Sequence, residues 1–269
     1  MREPVVSGLF YEPTESGLKK QLERLFSAAK DKSAESEKTF GVVSPHAGYI
    51  FSGKTAAISI NALKKAQTYV LLGPNHTGLG KPLSYSANTW KTPLGKIEAD
   101  KELAKYFKDS RVVRNEDAHI REHSLEVLLP FLQYKMKETP FQIFPIAMGD
   151  QSREAAQEIA DILIPLMNEK SIAVIASSDF SHYVSEDSAK EEDAVIIKKI
   201  EAGDVNEFYN FLSSFNSSVC GYGPIAVLMM ISNALNAEPK LLEYRTSNEE
   251  REAREAEVVG YASIAFTQF

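Results

Sequence analysis

Thr68–Gly78 reads TYVLLGPNHTG. Its first half is a short run of large apolar and β-branched side chains, and its second half is a glycine–proline turn that delivers His76. A run this short and this apolar, ended by Gly and Pro, predicts a strand buried on both faces rather than a helix. Two further stretches repeat the plan. Phe40–Tyr49, FGVVSPHAGY, runs from an apolar strand into His46, and Ser171–Tyr183, SIAVIASSDFSHY, runs from a strand into Asp179 and His182. Phe141–Met148 supplies a fourth apolar run.

Helical patterns lie around these strands. Leu18, Leu22, Leu25, Phe26 and Ala29 share one face of a helix expected over Ser16–Ala29. Further helices are expected near Gly53–Ala66, Asp100–Lys108, His123–Lys137, Ser152–Asn168, Glu186–Ala202, Asp204–Ser214 and Pro224–Asn236, with closing strands at Lys240–Thr246 and Glu257–Thr267. Strands alternating with helices predict an α/β fold in which helices cover both faces of the sheet. The closing pair makes a mixed sheet the expectation. Residues 1–269 read as a single-domain three-layer α/β/α sandwich, because strand patterns resume directly after the charged connectors at Lys30–Lys38 and Asn248–Glu257.

Composition narrows the function. Hydrophobic residues make up 43% and charged residues 25%, typical of a soluble globular chain. The one cysteine rules out a disulfide within the chain and points to the reducing cytoplasm. No window approaches the roughly 18 continuous apolar residues of a membrane span. The net charge is −7 and the lysine pairs are scattered among glutamates, which argues against a nucleic-acid groove.

The reactive residues gather at one topological address. In open α/β sheets, ligands bind beyond the carboxyl ends of the strands. His46, His76 and His182 each follow a strand there. Any one of them alone is more often a turn residue; three at one address point to a metal or acid–base site. Gly48, Gly73 and Gly78 are expected to let the backbone turn and approach a ligand. Asp179 either caps a turn or orients His182. Cys220, in NSSVCGYGPIAVLMM, lies just before a helix opened by Pro224. That position favours thiolate, a ligand for soft metals, although free cysteines are usually small buried hydrophobes. Glu122 and His123 open the amphipathic segment EHSLEVLLPFL, either as a helix start or as a polar edge of the pocket. His119 fits no pattern and reads as surface.

Taken in order, REPVVSGLFYEP (2–13), SPHAGYIFSG (44–53), LLGPNHTG (71–78), the W-x-T-P-L-G run at Trp90–Gly95, EHSLEVLLPFL (122–132), SSDFSHY (177–183), VCGYGP (219–224) and VVGYAS (258–263) resemble the Memo family across nearly the whole chain. The resemblance implies a fold similar to the LigB-type extradiol dioxygenases. It implies a metal site at His46, His76 and Cys220, taking Fe(II) first and Cu or Zn as alternatives. Asp179 and His182 match further pocket residues. With His123 they form the expected catalytic set, His182 as acid or base and Asp179 as its orienting group. The resemblance also implies partners of the AMMECR and radical-SAM types. Where iron dioxygenases pair two histidines with a carboxylate, a cysteine stands here, so the resemblance supports metal binding more firmly than dioxygenation. The expectation is therefore a metal-dependent redox enzyme. A metal-free cysteine hydrolase or transferase, and a peptide- or partner-binding module, are the alternatives.

Overall fold

A computed structural model describes residues 1–29, 36–137, 139–252 and 254–268. Part of the charged connector expected at Lys30–Lys38 lies outside them. In chain order the elements are α1 (Glu15–Ala29), β1 (Thr39–Ser44), α2 (Tyr49–Ala62), β2 (Thr68–Pro74), β3 (Leu83–Tyr85), β4 (Trp90–Thr92) and β5 (Gly95–Ile97). A 3-10 turn at Leu103–Phe107 precedes β6 (Val113–Arg114), α3 (Asp117–Ile120), a second 3-10 turn at Glu126–Leu128, α4 (Leu129–Met136) and β7 (Gln142–Met148). Then follow α5 (Arg153–Glu169), β8 (Ile172–Ser177), β9 (His182–Val184), α6 (Glu186–Glu201), α7 (Val205–Phe215), α8 (Tyr222–Ala234), β10 (Glu238–Thr246), α9 (Ser247–Arg251) and β11 (Val258–Thr267).

The main sheet runs β10-β11-β1-β8-β2-β7-β3-β6, with β9 paired to β11. Its centre, β1-β8-β2-β7, is parallel, and β11 and β3 flank it antiparallel. Val43, Ala176 and Leu72 lie in register across β1, β8 and β2, so these strands end level with one another. The apolar runs that predicted these strands are buried along their length, as a parallel sheet covered on both faces requires.

Successive side chains point to opposite layers. Val42, Tyr69, Leu71, Ala173 and Ile175 pack with α1, α2 and α4, whereas Val43, Val70, Leu72, Val174 and Ala176 pack with α5 to α8. The result is the expected three-layer α/β/α fold with a mixed sheet.

Two helix expectations are corrected. The 100–108 segment makes only a 3-10 turn. Residues 122–125 are not helical; regular helix begins only at Leu129, where Pro130 occupies the first turn, and Glu122, Ser124 and Glu126 ahead of it are committed to His76, Pro74 and Arg2. Strands β3 to β6 and β9 have two or three residues each, too few for a period-2 signal.

Candidate metal centre

β8 lies between β1 and β2, and His46, Asp179 and His76 each fall two residues beyond the end of their strand. Backbone topology alone therefore brings the three together. His123 joins them from the segment between α3 and α4. The ring centroids of His46 and His76 are 5.3 Å apart, those of His46 and His123 5.6 Å, and those of His76 and His123 4.8 Å with the planes at 17°. One ligand nitrogen from each of the three lies within 4.8 Å of the others, close enough for one metal ion.

The hydrogen bonds decide which nitrogens are free. His46 is 2% exposed, and its Nδ1 is 2.7 Å from Ser177 Oγ. That hydroxyl donates its only hydrogen to the Ser124 carbonyl at 2.7 Å, so it accepts from His46 Nδ1–H. Nε2 of His46 is left as a lone pair that faces the Cys220 sulfur at 3.4 Å. Burial lowers the pKa of His46 well below the usual imidazole value, reinforced by the neighbouring His76 and His123. The ring is thus held neutral, the form that binds metals.

Glu122 does the same for His76. Its buried carboxylate accepts from His76 Nδ1 at 2.9 Å, the His76 backbone N–H at 2.5 Å and the Ser124 N–H at 2.8 Å. Burial alone would raise its pKa, but these bonds and the neighbouring imidazoles hold it down at about 2. Each of these two imidazoles thus has an oxygen partner on Nδ1, as metal-binding histidines usually do. Gly73 makes the arrangement possible. A Cβ there would stand 2.6 Å from Leu125 Cδ2 and 2.8 Å from Ser124 Oγ, so any larger residue would force those two side chains off the end of β2. Gly78, at φ +65°, is a true turn glycine, whereas Gly48 has an ordinary φ of −58°.

His123 is partly exposed and its pKa is lowered, chiefly by burial. Its ring meets Phe10 edge-on at 5.1 Å. Asp179 accepts from the His46 backbone N–H at 2.8 Å, and burial raises its pKa. His182 sits on β9 next to β11, half-buried, and its Nδ1 has no hydrogen-bond partner. Tyr261, in the VVGYAS motif, is buried, and its pKa is raised first by burial and then by the charge of Asp179. The sequence reading assigned it no role.

Cys220 Sγ lies 3.4 Å from His46 Nε2 and receives the Asp179 N–H at 3.2 Å. The expectation of a thiolate favoured by the α8 N-terminus is corrected. The first amides of that helix are spent elsewhere, Gly221 N–H on Ser178 Oγ and Gly223 N–H on Gln151 Oε1. Burial, then the charge of Asp179, push the thiol well above its ordinary range. Close packing sets the local path, since a Cβ on Gly221 would come 2.2 Å from the Ser177 carbonyl.

His119 is likewise not on the surface. It is 1% exposed, it meets the Trp90 ring at 5.7 Å, and burial lowers its pKa to about 4. Its place under Trp90 depends on contacts remote in sequence, which is why no local pattern announced it.

An α/β sandwich with a histidine cluster at the carboxyl edge of its parallel strands defines a protein with a candidate metal centre at that edge. Comparison with known proteins narrows the class. The family description "Memo-like protein" matches residues 2–265. A MEMO1 family protein of Methanosarcina acetivorans is 46% identical over 267 residues, covering 98% of each chain. Another from Archaeoglobus fulgidus is 41% identical over 99% of each chain, and one from Nitrosopumilus maritimus is 36% identical over 99% of each. The chain belongs to the Memo family. Among solved structures, the uncharacterized protein JW3007 from Escherichia coli K12 matches with a TM-score of 0.51 over 84% of this chain and 98% of that one. At 10% identity that likeness concerns the fold alone. No helix among the described residues is long and apolar enough to cross a membrane.

Proposed function

We propose that the protein is a metal-dependent redox enzyme whose site holds a single ion, Fe(II) in first place and Cu or Zn as alternatives, through His46 and His76. The observation that carries this reading is the pair of imidazoles locked with hydrogen on Nδ1, one by Ser177 and one by Glu122, which leaves their Nε2 lone pairs for a Lewis acid. His123 supplies the third nitrogen within 4.8 Å, and Cys220, at 3.4 Å from His46 Nε2, is the alternative third donor. An imidazole set suits iron, copper and zinc, and a thiolate tilts the choice toward Cu(I) or zinc. Iron or copper, when bound, would supply electron exchange with oxygen or with a substrate, whereas zinc would supply Lewis acidity only. The chain's own residues orient and protonate: Glu122 holds His76, Ser177 holds His46, and Asp179 and His182 hold or move a proton at the edge of the cluster.

Metal analysis of protein purified without oxygen tests this, alongside the His46→Ala/His76→Ala variant. About one iron or copper per chain, lost in the variant, is the expected result. Failure to take up Fe(II), Cu(I) or Zn under reducing conditions would overturn it. His123→Ala and Cys220→Ser, read by X-ray absorption, then identify the third donor.

The close Cys220–His46 pair favours one second reading, a metal-free cysteine nucleophile with His46 as its base. Rapid alkylation of Cys220 in chelator-treated protein, abolished in His46→Ala, would support it. The raised thiol pKa leads us to expect slow alkylation instead.

A further inference from the structure

The N-terminal motif REPVVSGLFYEP and the segment EHSLEVLLPFL lie more than a hundred residues apart and meet at the site. Arg2 is 6% exposed. Its Nη1 pairs with Glu126 Oε2 at 2.6 Å, its Nη2 donates to the Glu122 carbonyl at 2.6 Å, and its Nε donates to the His119 carbonyl at 2.8 Å. The guanidinium lies 4.1 Å from the centroid of the Trp90 ring. Glu126, fully buried, also accepts from Val5 N–H at 2.9 Å, Val6 N–H at 3.0 Å and the Tyr11 hydroxyl at 2.7 Å. At the far end of this strap, the Phe10 carbonyl accepts from Tyr49 N–H at 2.8 Å, in the first turn of the helix that follows His46, and the Phe10 ring leans on His123.

These contacts converge on one pair of residues. Glu122 and His123 belong to neither α3 nor α4, and their backbone is tied forward by the bond from Val127 N–H to the His123 carbonyl at 3.1 Å. The guanidinium grips the Glu122 carbonyl on one side, and Phe10 backs the His123 ring on the other. We propose that Arg2 is a positioning residue of the metal centre. By clamping residues 119–126 it sets where the Glu122 carboxylate meets His76 and where the His123 imidazole stands. The metal part of this inference rests on the reading of the site given above; the clamp itself does not. Arg suits the task because its planar fork reaches three acceptors at fixed angles, which the single ammonium of Lys cannot.

The test pairs Arg2→Met with Glu126→Gln, so that neither charge is stranded, and compares it with His123→Ala and with all three changes together. Co(II) serves as the metal probe, read by its visible spectrum and its Kd, with thermal unfolding followed in parallel. In metal-free protein, the NMR signal of the His123 ring, shifted by the Phe10 ring, reports the geometry directly. The expected result is Co(II) binding weakened by about 10–100-fold, as for outer-shell partners of a metal site. The spectrum should match that of His123→Ala, with no further loss in the combined variant, and the His123 ring signal should move toward its unshifted position. A lower Tm with unchanged Co(II) affinity, spectrum and ring signal would overturn the proposal. A wild type that takes no Co(II) would sink the metal reading, and the ring signal would still decide the clamp. Should the paired variant not fold, Arg2→Lys carries the same readouts.

Discussion

Two buried polar regions sit within four residues of each other in sequence and are built on opposite terms. Around Glu126 the known donors and acceptors are matched: the carboxylate takes a guanidinium, two backbone amides and a phenol. Around Glu122 the matching stops halfway. The carboxylate is satisfied, but the imidazole it holds, and His46 beside it, have oxygen partners on Nδ1 only, and His46 Nε2 faces the Cys220 sulfur. A buried polar group is normally fully paired because an unpaired one costs free energy. The region around Glu126 follows that rule and reads as structure. The region around Glu122 turns ordered imidazole nitrogens toward a common point and reads as a ligand site.

Substitutions can break this contrast or sharpen it. The largest effect is expected from Glu126→Ala, which strands Arg2 and three other donors in the interior. Breaking a buried pair from one side costs about 3–5 kcal/mol, and the denaturation midpoint should fall accordingly. A change under about 1 kcal/mol would show that water replaces the carboxylate and that the region is not closed.

Acid comes next. His46, His119 and His123 all have lowered pKa values in the folded chain, so the unfolded chain binds more protons as pH falls below the ordinary imidazole value of about 6.5. Their neutral burial therefore stabilises the fold above that pH and is lost progressively as pH drops toward the folded values, about 4 for His119. Asp193 opposes them. Burial raises its pKa to about 6, so its contribution is present in acid and fades as pH rises through 6. Replacing His119 with Phe should remove on the order of 3 kcal/mol of the loss between pH 6.5 and 4. An unchanged pH profile in that variant would show that His119 is not held neutral.

A smaller effect is expected for Glu122→Gln. It keeps the shape but loses the charge that fixes the His76 tautomer, and metal affinity should fall by about 10–100-fold with little change in Tm. Equal metal affinity would remove Glu122 from the site. Smallest is Ser152→Ala, which deletes the side-chain cap on Ala155 N–H at the start of α5. About 1 kcal/mol of stability should go, with metal binding untouched. A loss of metal there would mean that the site responds to any perturbation of the scaffold, and the contrast would collapse.

Much of the architecture was legible in the sequence. The central strands were read to within a residue or two because each is a short apolar run with turn residues behind it. The rule that ligands sit at strand ends placed His46, His76 and His182 together; the order β1-β8-β2 makes His46, His76 and Asp179 the neighbours, while His182 lies on β9 beside β11. The 122–125 segment was read as the start of a helix because EHSLEVLL has helical spacing; contacts with His76 and Arg2 outweigh that propensity. His119 was misplaced for a related reason, since its burial is made by Trp90 and Ser84, remote in the chain. Cys220 was located correctly before its helix, but the fate of that helix's amides depends on Ser178 and Gln151.

The sequence by itself determined the sheet, the layers and the strand-end address of His46 and His76, because those follow from local periodicity and from where turns interrupt it. Only the tertiary structure decided that His123 completes the nitrogen cluster, that Ser177 and Glu122 choose the tautomers, and that Arg2 is bound to the same segment as the site. Those features are hydrogen bonds between residues tens to more than a hundred positions apart. Such bonds leave no period in the chain, because their geometry exists only once the strands have brought the partners to one edge.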